Sequence, residues 1–169
     1  MFIRLKKRVR KSGEVYYAYL VSNNWVNYSP KQEVKSYLGR FHKLDSSSSS
    51  ILILPKTIKK SQIFNFLLRK SLLDHKFKQK GNSHFYHPNG FLVNLIRNEV
   101  LDKKTLKPVC LGINQGYMCN YSLKKLFNFF INSKNKKKKG EELIKVLLDV
   151  GINPHKELFL EIFNILTKK

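Results

Sequence analysis

The residues best suited to chemistry are cations that recur near the start of the chain. Four basic residues occupy every second position there: Arg4, Lys6, Arg8 and Arg10. Apolar residues fill alternate positions between them: Ile3, Leu5 and Val9. Because successive side chains of a strand point to opposite faces, this spacing predicts one wet, cationic face and one packed face. A row of cations suits phosphate groups, so the pattern indicates nucleic-acid binding.

Aromatic side chains lie among these cations. Exposed aromatics on a basic surface can stack on unpaired bases, at roughly 1–3 kcal/mol per base. The tyrosines of residues 14–23 belong to a run that is apolar or aromatic on both faces, and we expect them to fill the core. Trp25 and Tyr28 fall in a predicted turn and are better candidates for contact, with Lys35 and Arg40 as further cations.

Two predicted helix starts carry lysine pairs. A predicted capping residue, Thr57 or Ser122, and then an aliphatic residue precede the two pairs, which are Lys59-Lys60 and Lys124-Lys125. A cation at a helix N-terminus opposes the helix dipole at a cost of about 0.3–1 kcal/mol, and a bound phosphate would reverse that penalty. The pattern favours two phosphate contacts. The alternative is that these lysines extend into solvent, where salt screens the penalty.

Three strands are predicted to position the N-terminal cations, over residues 2–11, 14–23 and 31–42. Ser12-Gly13 predicts a tight turn between the first two strands. Gly39 near the end of the third strand is expected to allow a bulge or the close approach of another segment.

The segments FIRLKKR, YYAYLVSNN and PKQEVKSYLGR resemble the β-meander that opens many insertion-sequence transposases. With the later segment LGINQGY, they are also similar to small archaeal proteins of unassigned function. In the transposases a ribonuclease-H-like core with acidic metal ligands follows, for which this chain lacks roughly 200 residues. The likeness covers about the first quarter of the chain, so it implies nucleic-acid handling without strand-transfer chemistry.

The whole chain predicts an α+β fold. An N-terminal antiparallel β-meander is followed by an amphipathic helix, a second antiparallel β-region and a C-terminal helical cluster. Helices are predicted over residues 58–73, 123–131, 141–150 and 154–167. The second β-region is predicted as a strand over 91–99 that pairs with 107–113 across a turn at 102–105. The two β-regions are expected to join in one curled sheet or barrel.

Composition divides the chain into five segments. They are a basic β-meander at 1–44, a Ser-rich linker at 45–50, an α+β core at 51–132, a Lys-rich loop at 133–140 and a helical hairpin at 141–169. Residues 51–54 form either a short buried strand or a loop packed on the core. In the hairpin, Gly151 is expected just beyond the first helix, with Asn153 as the cap of the second and Pro154 as its first residue.

Charge is the strongest compositional feature. The chain has 33 Lys+Arg against 11 Asp+Glu, which leaves a net charge of +22. Such a chain repels itself, and a polyanionic partner relieves that repulsion. Residues 1–139 hold 29 of the basic residues, and basic loops around Lys78 and 134–139 are expected to add phosphate contacts. An A+T-rich genome would account for part of the lysine excess as well.

Membrane and secretory classes are not favoured. The sequence has no run near the ~18 apolar residues of a spanning helix, and its start lacks the apolar core of a signal peptide. Two cysteines without framework spacing suit a reducing compartment. We therefore expect a cytoplasmic protein without a membrane partner.

Known catalytic and metal-binding patterns are absent from the sequence. A His₂Cys₂ site from His84, His87, Cys110 and Cys119 would match no usual zinc-finger spacing, and the simpler interpretation is partly exposed histidines with two buried thiols. Phosphate-binding glycine loops and a nucleophile beside a base are also missing. The sequence thus predicts no enzyme, no metal and no cofactor.

Non-enzymatic nucleic-acid binding is therefore the predicted function, with DNA and structured RNA both open. One alternative is a ribosome-associated or other protein-interaction module that docks through its C-terminal helices. There an apolar face of Leu158, Phe159 and Ile162 either binds a partner or caps the core. Another alternative is an accessory or degenerate transposase fragment.

Overall fold

Strands predominate in the first two-thirds of the chain and helices in the last third, which confirms the predicted α+β fold class. The structure, a computed structural model, describes residues 1–11, 13–26, 28–45, 53–55, 57–129 and 136–168. The described strands are β1 (Phe2–Arg10), β2 (Gly13–Val26), β3 (Ser29–Lys43), β4 (Lys78–Lys80), β5 (His84–Tyr86), β6 (Phe91–Asn94), β7 (Glu99–Asp102), β8 (Val109–Ile113) and β9 (Gly116–Met118). The described helices are α1 (Ile63–Asp74), α2 (Asn120–Phe127), α3 (Lys136–Asp149) and α4 (Lys156–Thr167), with a 3₁₀ turn at Lys60–Gln62 before α1.

The larger sheet has five strands in the order β1-β2-β3-β8-β9. The N-terminal meander is formed as predicted, with antiparallel pairing of β1 to β2 and of β2 to β3. The strand β8 then joins β3 in parallel, with Arg40 opposite Val109 and Lys43 opposite Gly112. A parallel pair requires a long crossover, and here that crossover contains α1 and the whole second sheet.

The second sheet is a separate four-stranded antiparallel meander in the order β4-β5-β6-β7. The predicted strand over 91–99 is wrong because a turn divides it, with Asn98 in the left-handed region at φ 55°. The Asn94 side chain accepts hydrogen bonds from the backbone N–H groups of Ile96 and Arg97, at 3.0 and 3.1 Å, which fixes that turn. The predicted basic loop after α1 contains strand β4.

The expected pairing of residues 91–99 with 107–113 is also wrong, and the two β-regions join only in part, because residues 109–113 extend the N-terminal sheet whereas residues 91–94 lie in the other sheet. The neighbour of β6 is β7, whereas the later segment becomes β8 of the larger sheet. All five residues of β8 are buried. Such an all-buried strand suits a central position with both faces covered, which an edge position in the small sheet would not provide.

Gly39 fixes the joint between β3 and β8. Its φ is +123°, and a Cβ there would collide with the carbonyl oxygen of Pro108. Two bulges in β3 lie close by, where Leu38 and Lys35 are extra residues relative to β2. The sequence prediction of a bulge or a close approach at this glycine is therefore confirmed, and both occur.

The predicted start of the first helix is wrong, because α1 begins at Ile63 with Gln62 as its cap, and Thr57 is not a cap. The second helix begins at Asn120, three residues before the predicted start. The third begins within the lysine run, at Lys136. The fourth begins at Lys156 with His155 in the cap position, so Asn153 and Pro154 precede it.

The end of α3 follows the prediction. Gly151 lies just beyond the helix at φ +86°. The N–H of Ile152 donates to the Leu147 carbonyl at 2.9 Å and that of Gly151 to the Leu148 carbonyl at 3.0 Å, the two bonds of a Schellman motif. A Cβ at Gly116 would collide with the backbone of Gly151, so the β8–β9 turn packs directly against the helix end.

The main core lies where α1, the second sheet, β8 and the C-terminal helices meet. Leu67, Phe85, Leu111, Leu147 and Ile162 are fully buried there. A second, smaller cluster packs beneath the N-terminal strands and contains Ala18, Leu20, Leu38, Cys110 and Cys119.

Some predicted features fall partly outside the described residues. Most of the Ser-rich linker, Ser12 of the first turn, and residues 51 and 52 of the 51–54 segment do so. In that segment Leu54 is buried and Ile53 is exposed, and neither lies in a strand.

We predict that Gly39→Ala destabilises the fold much more than Gly13→Ala. Both glycines have a similar positive φ, but a Cβ at Gly13 meets nothing within 4 Å. Backbone strain of about 1–3 kcal/mol is common to the two changes, and only Gly39→Ala adds the collision with Pro108. Thermal unfolding of the two variants measures the difference. Equal losses of Tm would contradict the close packing of β3 on β8.

We also predict that acid weakens the fold through His42. The His42 ring packs on Phe91 of the second sheet at 4.7 Å. Burial, followed by the nearby Arg40, lowers the pKa of His42 below its usual value, against a weaker opposite effect of Asp102. Because protonation then favours the unfolded chain, stability is complete above about pH 6.5 and falls as the pH drops through the folded-state pKa.

The variant His42→Phe keeps an aromatic contact and removes this titration. Urea unfolding at a series of pH values should show a smaller loss of stability on acidification than in the wild type. An identical pH dependence in the two proteins would show that His42 does not contribute.

Candidate nucleic-acid interface

One face of the N-terminal meander carries a row of cations. Alternation along β1 places Arg4, Lys6, Arg8 and Arg10 on the same side, and all four are exposed. The register puts Arg4 opposite Tyr19 and Lys6 opposite Tyr17 on β2, while Arg40 on β3 lies opposite Tyr17. This surface, the cationic face, consists of Arg4, Lys6, Arg8, Arg10, Tyr17, Tyr19, Tyr37 and Arg40.

Tyrosine rings contact three of the five cations of this face. Lys6 Nζ lies 5.2 Å from the centre of the Tyr19 ring. The guanidinium carbons of Arg8 and Arg10 lie 5.5 and 5.9 Å from the centre of the Tyr17 ring. Arg10 also donates a hydrogen bond of 2.7 Å to the Tyr17 hydroxyl. These are cation–π distances, so the cations and aromatics form one connected surface.

The expectation that the tyrosines of β2 fill the core is wrong. Tyr17 and Tyr19 are half-buried on the cationic face, and Tyr16 is exposed on the reverse face. The core is filled from the reverse face by smaller residues, since Ala18 and Leu20 are buried. On the side of the cationic face Val15 and Val21 are buried, but the two larger tyrosine rings between them are covered only in part, which an aromatic run cannot reveal by itself.

Tyr37 on β3 completes the cationic face and is 54% exposed. Its ring centre lies 5.4 Å from that of Tyr19 and 6.2 Å from that of Tyr17. Partial burial, with the neighbouring tyrosines, raises the pKa of Tyr37, so its hydroxyl stays uncharged at neutral pH. The sequence analysis placed Tyr17 and Tyr19 in the core, and none of the three tyrosines is among its predicted contact residues. The signal that could have found them is alternation: pairing of the predicted strands places these tyrosines on the same side of the sheet as the cations of β1.

Both glutamates of the meander lie on the reverse face. Glu14 is opposite Val9 and forms an ion pair with Lys7. Glu33 is opposite Ser22 and forms an ion pair of 2.7 Å with Lys35. Hydrogen bonds from these lysines lower the pKa of each carboxyl group. Negative charge in the meander is therefore confined to one side of the sheet.

Lys35 and Val9 depart from their predicted positions. Lys35 is an extra residue in a bulge and pairs with Glu33, so it does not join the cationic face. Val9 is predicted to pack but is 77% exposed. The pairing of β2 with β3 ends at Tyr17, so the β1–β2 hairpin extends beyond the rest of the sheet at Val9.

Trp25 and Tyr28 lie at the far end of the β2–β3 hairpin, and they are 76% and fully exposed. By alternation along β2, Trp25 falls on the same side as Tyr17 and Tyr19. Tyr28 has a φ of 61°, which belongs to the turn itself. Both are accessible, as the sequence predicts.

The lysine pair at Lys59-Lys60 is not at the start of an α-helix. The two residues lie at the beginning of a single 3₁₀ turn, three residues before α1. Lys60 Nζ donates a hydrogen bond to the carbonyl of Lys168 near the other end of the chain. The predicted helix start at this pair is wrong, so the phosphate contact inferred from it loses its geometric basis.

The pair at Lys124-Lys125 lies in the last turn of α2, where cations complement the helix dipole. Lys125 Nζ forms an ion pair of 2.6 Å with Asp149 of α3. The residue predicted as a cap, Ser122, lies within the first turn, where it accepts from Cys119 N–H at 3.0 Å and donates to the Tyr117 carbonyl at 2.6 Å. This second helix-start prediction is also wrong.

Lys78 is exposed in β4 of the second sheet. Its partner across the ladder is Tyr86, and Lys103 Nζ lies 5.5 Å from the centre of the Tyr86 ring. The second sheet therefore carries two cations beside one tyrosine, a smaller arrangement than the cationic face. In the predicted lysine loop, residues 134 and 135 lie outside the described residues, whereas Lys139 forms an ion pair of 2.7 Å with Glu142.

The histidines and cysteines do not converge. His84 contacts Asn94 and Ser83 in the second sheet, whereas Cys110 and Cys119 lie in the smaller core cluster. A hydrogen bond from the Cys110 thiol lowers the pKa of Cys119 to about 7 and raises that of Cys110. No group of three or more His, Cys, Asp or Glu side chains that could hold a metal occurs in the described part of the chain.

The apolar face considered for docking in the C-terminal hairpin belongs largely to the core. Leu158 and Ile162 are buried in it, and Phe159 is packed against it. The interpretation of this hairpin as a cap on the core therefore agrees with its packing. Over the residues that the structure covers, no helix has the length and apolar character needed to cross a membrane.

The cationic face thus gathers five of the predicted contact residues, Arg4, Lys6, Arg8, Arg10 and Arg40, with Trp25 farther along the same side. The others lie elsewhere: Tyr28, Lys35, Lys59, Lys60, Lys78, Lys124 and Lys125. Comparison of this chain with protein-family models, with curated proteins and with solved structures finds no match.

Proposed function

We propose that this protein binds nucleic acid, without acting on it chemically, through the cationic face of its N-terminal meander. The observation that carries the proposal is the separation of charge across one sheet. Five cations lie on one side, and both glutamates of the same three strands lie on the other. Phosphates approaching the cationic face meet no carboxylate of the meander.

The pairing of the cations supports the same conclusion. On the reverse face, Lys7 and Lys35 are neutralised by their glutamates. Within the described residues, Arg4, Lys6, Arg8, Arg10 and Arg40 form no ion pair. Their charges are therefore available to phosphate groups, and binding would release the counterions of the nucleic acid.

The test compares two charge-matched triple variants by titration with labelled nucleic acid at about 50–200 mM salt. One variant replaces Arg4, Lys6 and Arg8 by Gln on the cationic face. The other replaces Lys7, Lys31 and Lys35 by Gln on the reverse face, where Lys31 lies opposite Asn24, two positions along β2 from Ser22. Because each lost phosphate contact lowers the slope of log affinity against log salt by about 0.7–0.9, we expect the first variant to lose about 2 or more of that slope and the second much less.

Circular dichroism would confirm that both variants are folded. Equal losses in the two variants would mean that binding follows net charge alone, and the cationic face would not be the site. A wild-type protein that binds neither DNA nor RNA at low salt would overturn the proposed function.

Trp25 provides a second prediction. It is the only tryptophan in the chain and is 76% exposed on the side of the cationic face. Nucleic acid on this face should therefore change the intensity of its fluorescence, because bases stack on exposed indole rings. Inorganic phosphate at equal ionic strength is the control and should leave the emission unchanged. An unchanged emission at saturating nucleic acid would place the bound strand away from the hairpin end.

A further inference from the structure

We propose that the cationic face selects single strands over duplexes, and that Tyr37 is the residue on which an unpaired base stacks. This inference rests on the proposed nucleic-acid binding and specifies its substrate class. Tyr37 is the most exposed of the three tyrosines on this face, at 54%.

The neighbouring rings are already covered by cations. Lys6 lies over Tyr19, and Arg8 and Arg10 lie beside the ring of Tyr17. In the described part of the chain, no cation lies over the ring of Tyr37, which is tilted by 44° against that of Tyr17 and by 52° against that of Tyr19. The ring of Tyr37 is therefore the aromatic surface of this face that is most available to an incoming base.

The order of the strands separates the row of cations, which would contact phosphates, from the residue on which a base would stack. The row of cations follows β1, the edge strand of the sheet, with side chains about 6.8 Å apart along it. Tyr37 lies on β3, two strands farther in, at about 10 Å from that edge. A strand whose phosphates follow β1 can direct its bases inward across β2 towards Tyr37.

A duplex cannot make the same contact. Its bases are paired and stacked inside the helix, so their faces are not available to a side chain on a sheet surface. The phosphates of a duplex could still contact the β1 row. Cations alone would therefore bind both forms, whereas the added tyrosine favours the single strand.

The experiment measures fluorescence anisotropy with labelled oligonucleotides of about 12 nucleotides, within the site sizes of single-strand binders. Single-stranded DNA, single-stranded RNA and a duplex of the same sequence are compared. We expect tighter binding of the single strands than of the duplex. The variant Tyr37→Ala should weaken single-strand binding by about 5- to 100-fold, the range typical of one stacked base, and should change duplex binding little.

Three further variants separate stacking from packing. Tyr37→Phe keeps the ring and should bind single strands like the wild type. Tyr37→Leu keeps apolar volume without a ring and should behave like Tyr37→Ala. Tyr16→Ala removes an exposed tyrosine from the reverse face of the neighbouring strand and should leave binding unchanged.

The outcomes distinguish this inference from the proposed function. Equal affinity for single strands and duplex, or equal losses in Tyr37→Ala and Tyr16→Ala, would overturn stacking on Tyr37 while nucleic-acid binding stands. Unaltered binding by a folded Tyr37→Leu variant would also overturn it. Absence of binding to all three oligonucleotides would remove the proposed function itself.

Discussion

The parallel pairing of β3 with β8 is the constraint on which the rest of the structure depends. It holds the reverse face of the meander against the smaller core cluster, where Leu38 packs with Cys110 and Cys119. Gly39 allows it, because only a residue without a Cβ can approach the Pro108 carbonyl so closely. The smaller cluster packs against the reverse face, whereas the cations of β1 and Arg40 on the opposite face stay exposed to solvent.

Two opposing electrostatic effects act on the cationic face. Unit charges about 6.8 Å apart in water repel by about 0.6 kcal/mol, so a row of cations along β1 is unfavourable. Each cation near a tyrosine ring recovers about 0.5–1 kcal/mol at an exposed site. The contacts of Lys6, Arg8 and Arg10 with Tyr19 and Tyr17 thus offset the repulsion without neutralising the charge. The face remains able to attract phosphate.

Elsewhere the excess charge is partly compensated by ion pairs. Lys125 of α2 pairs with Asp149 of α3, and Lys139 pairs with Glu142 one turn away. Lys125, which the sequence placed at a helix start as a free cation, therefore links α2 to α3. Among the residues that the structure describes, the cations of the cationic face lack such ion pairs because of where the strands place the acidic residues. Helices bring acidic residues of the C-terminal segment next to the lysines, whereas alternation in β1–β3 places both glutamates on the far side of the sheet.

The sequence by itself determined the features that depend on local periodicity. These are the meander, the alternation that aligns Arg4 with Arg8, the bulge beside Gly39 and the helix end at Gly151. Only the tertiary structure decided which face of the meander the core covers, and hence that Tyr17 and Tyr19 are not core residues. It also decided that β8 pairs with β3 instead of β6, and that Lys125 meets Asp149. Such choices depend on contacts between residues distant in the chain, whose free energies a local pattern does not contain.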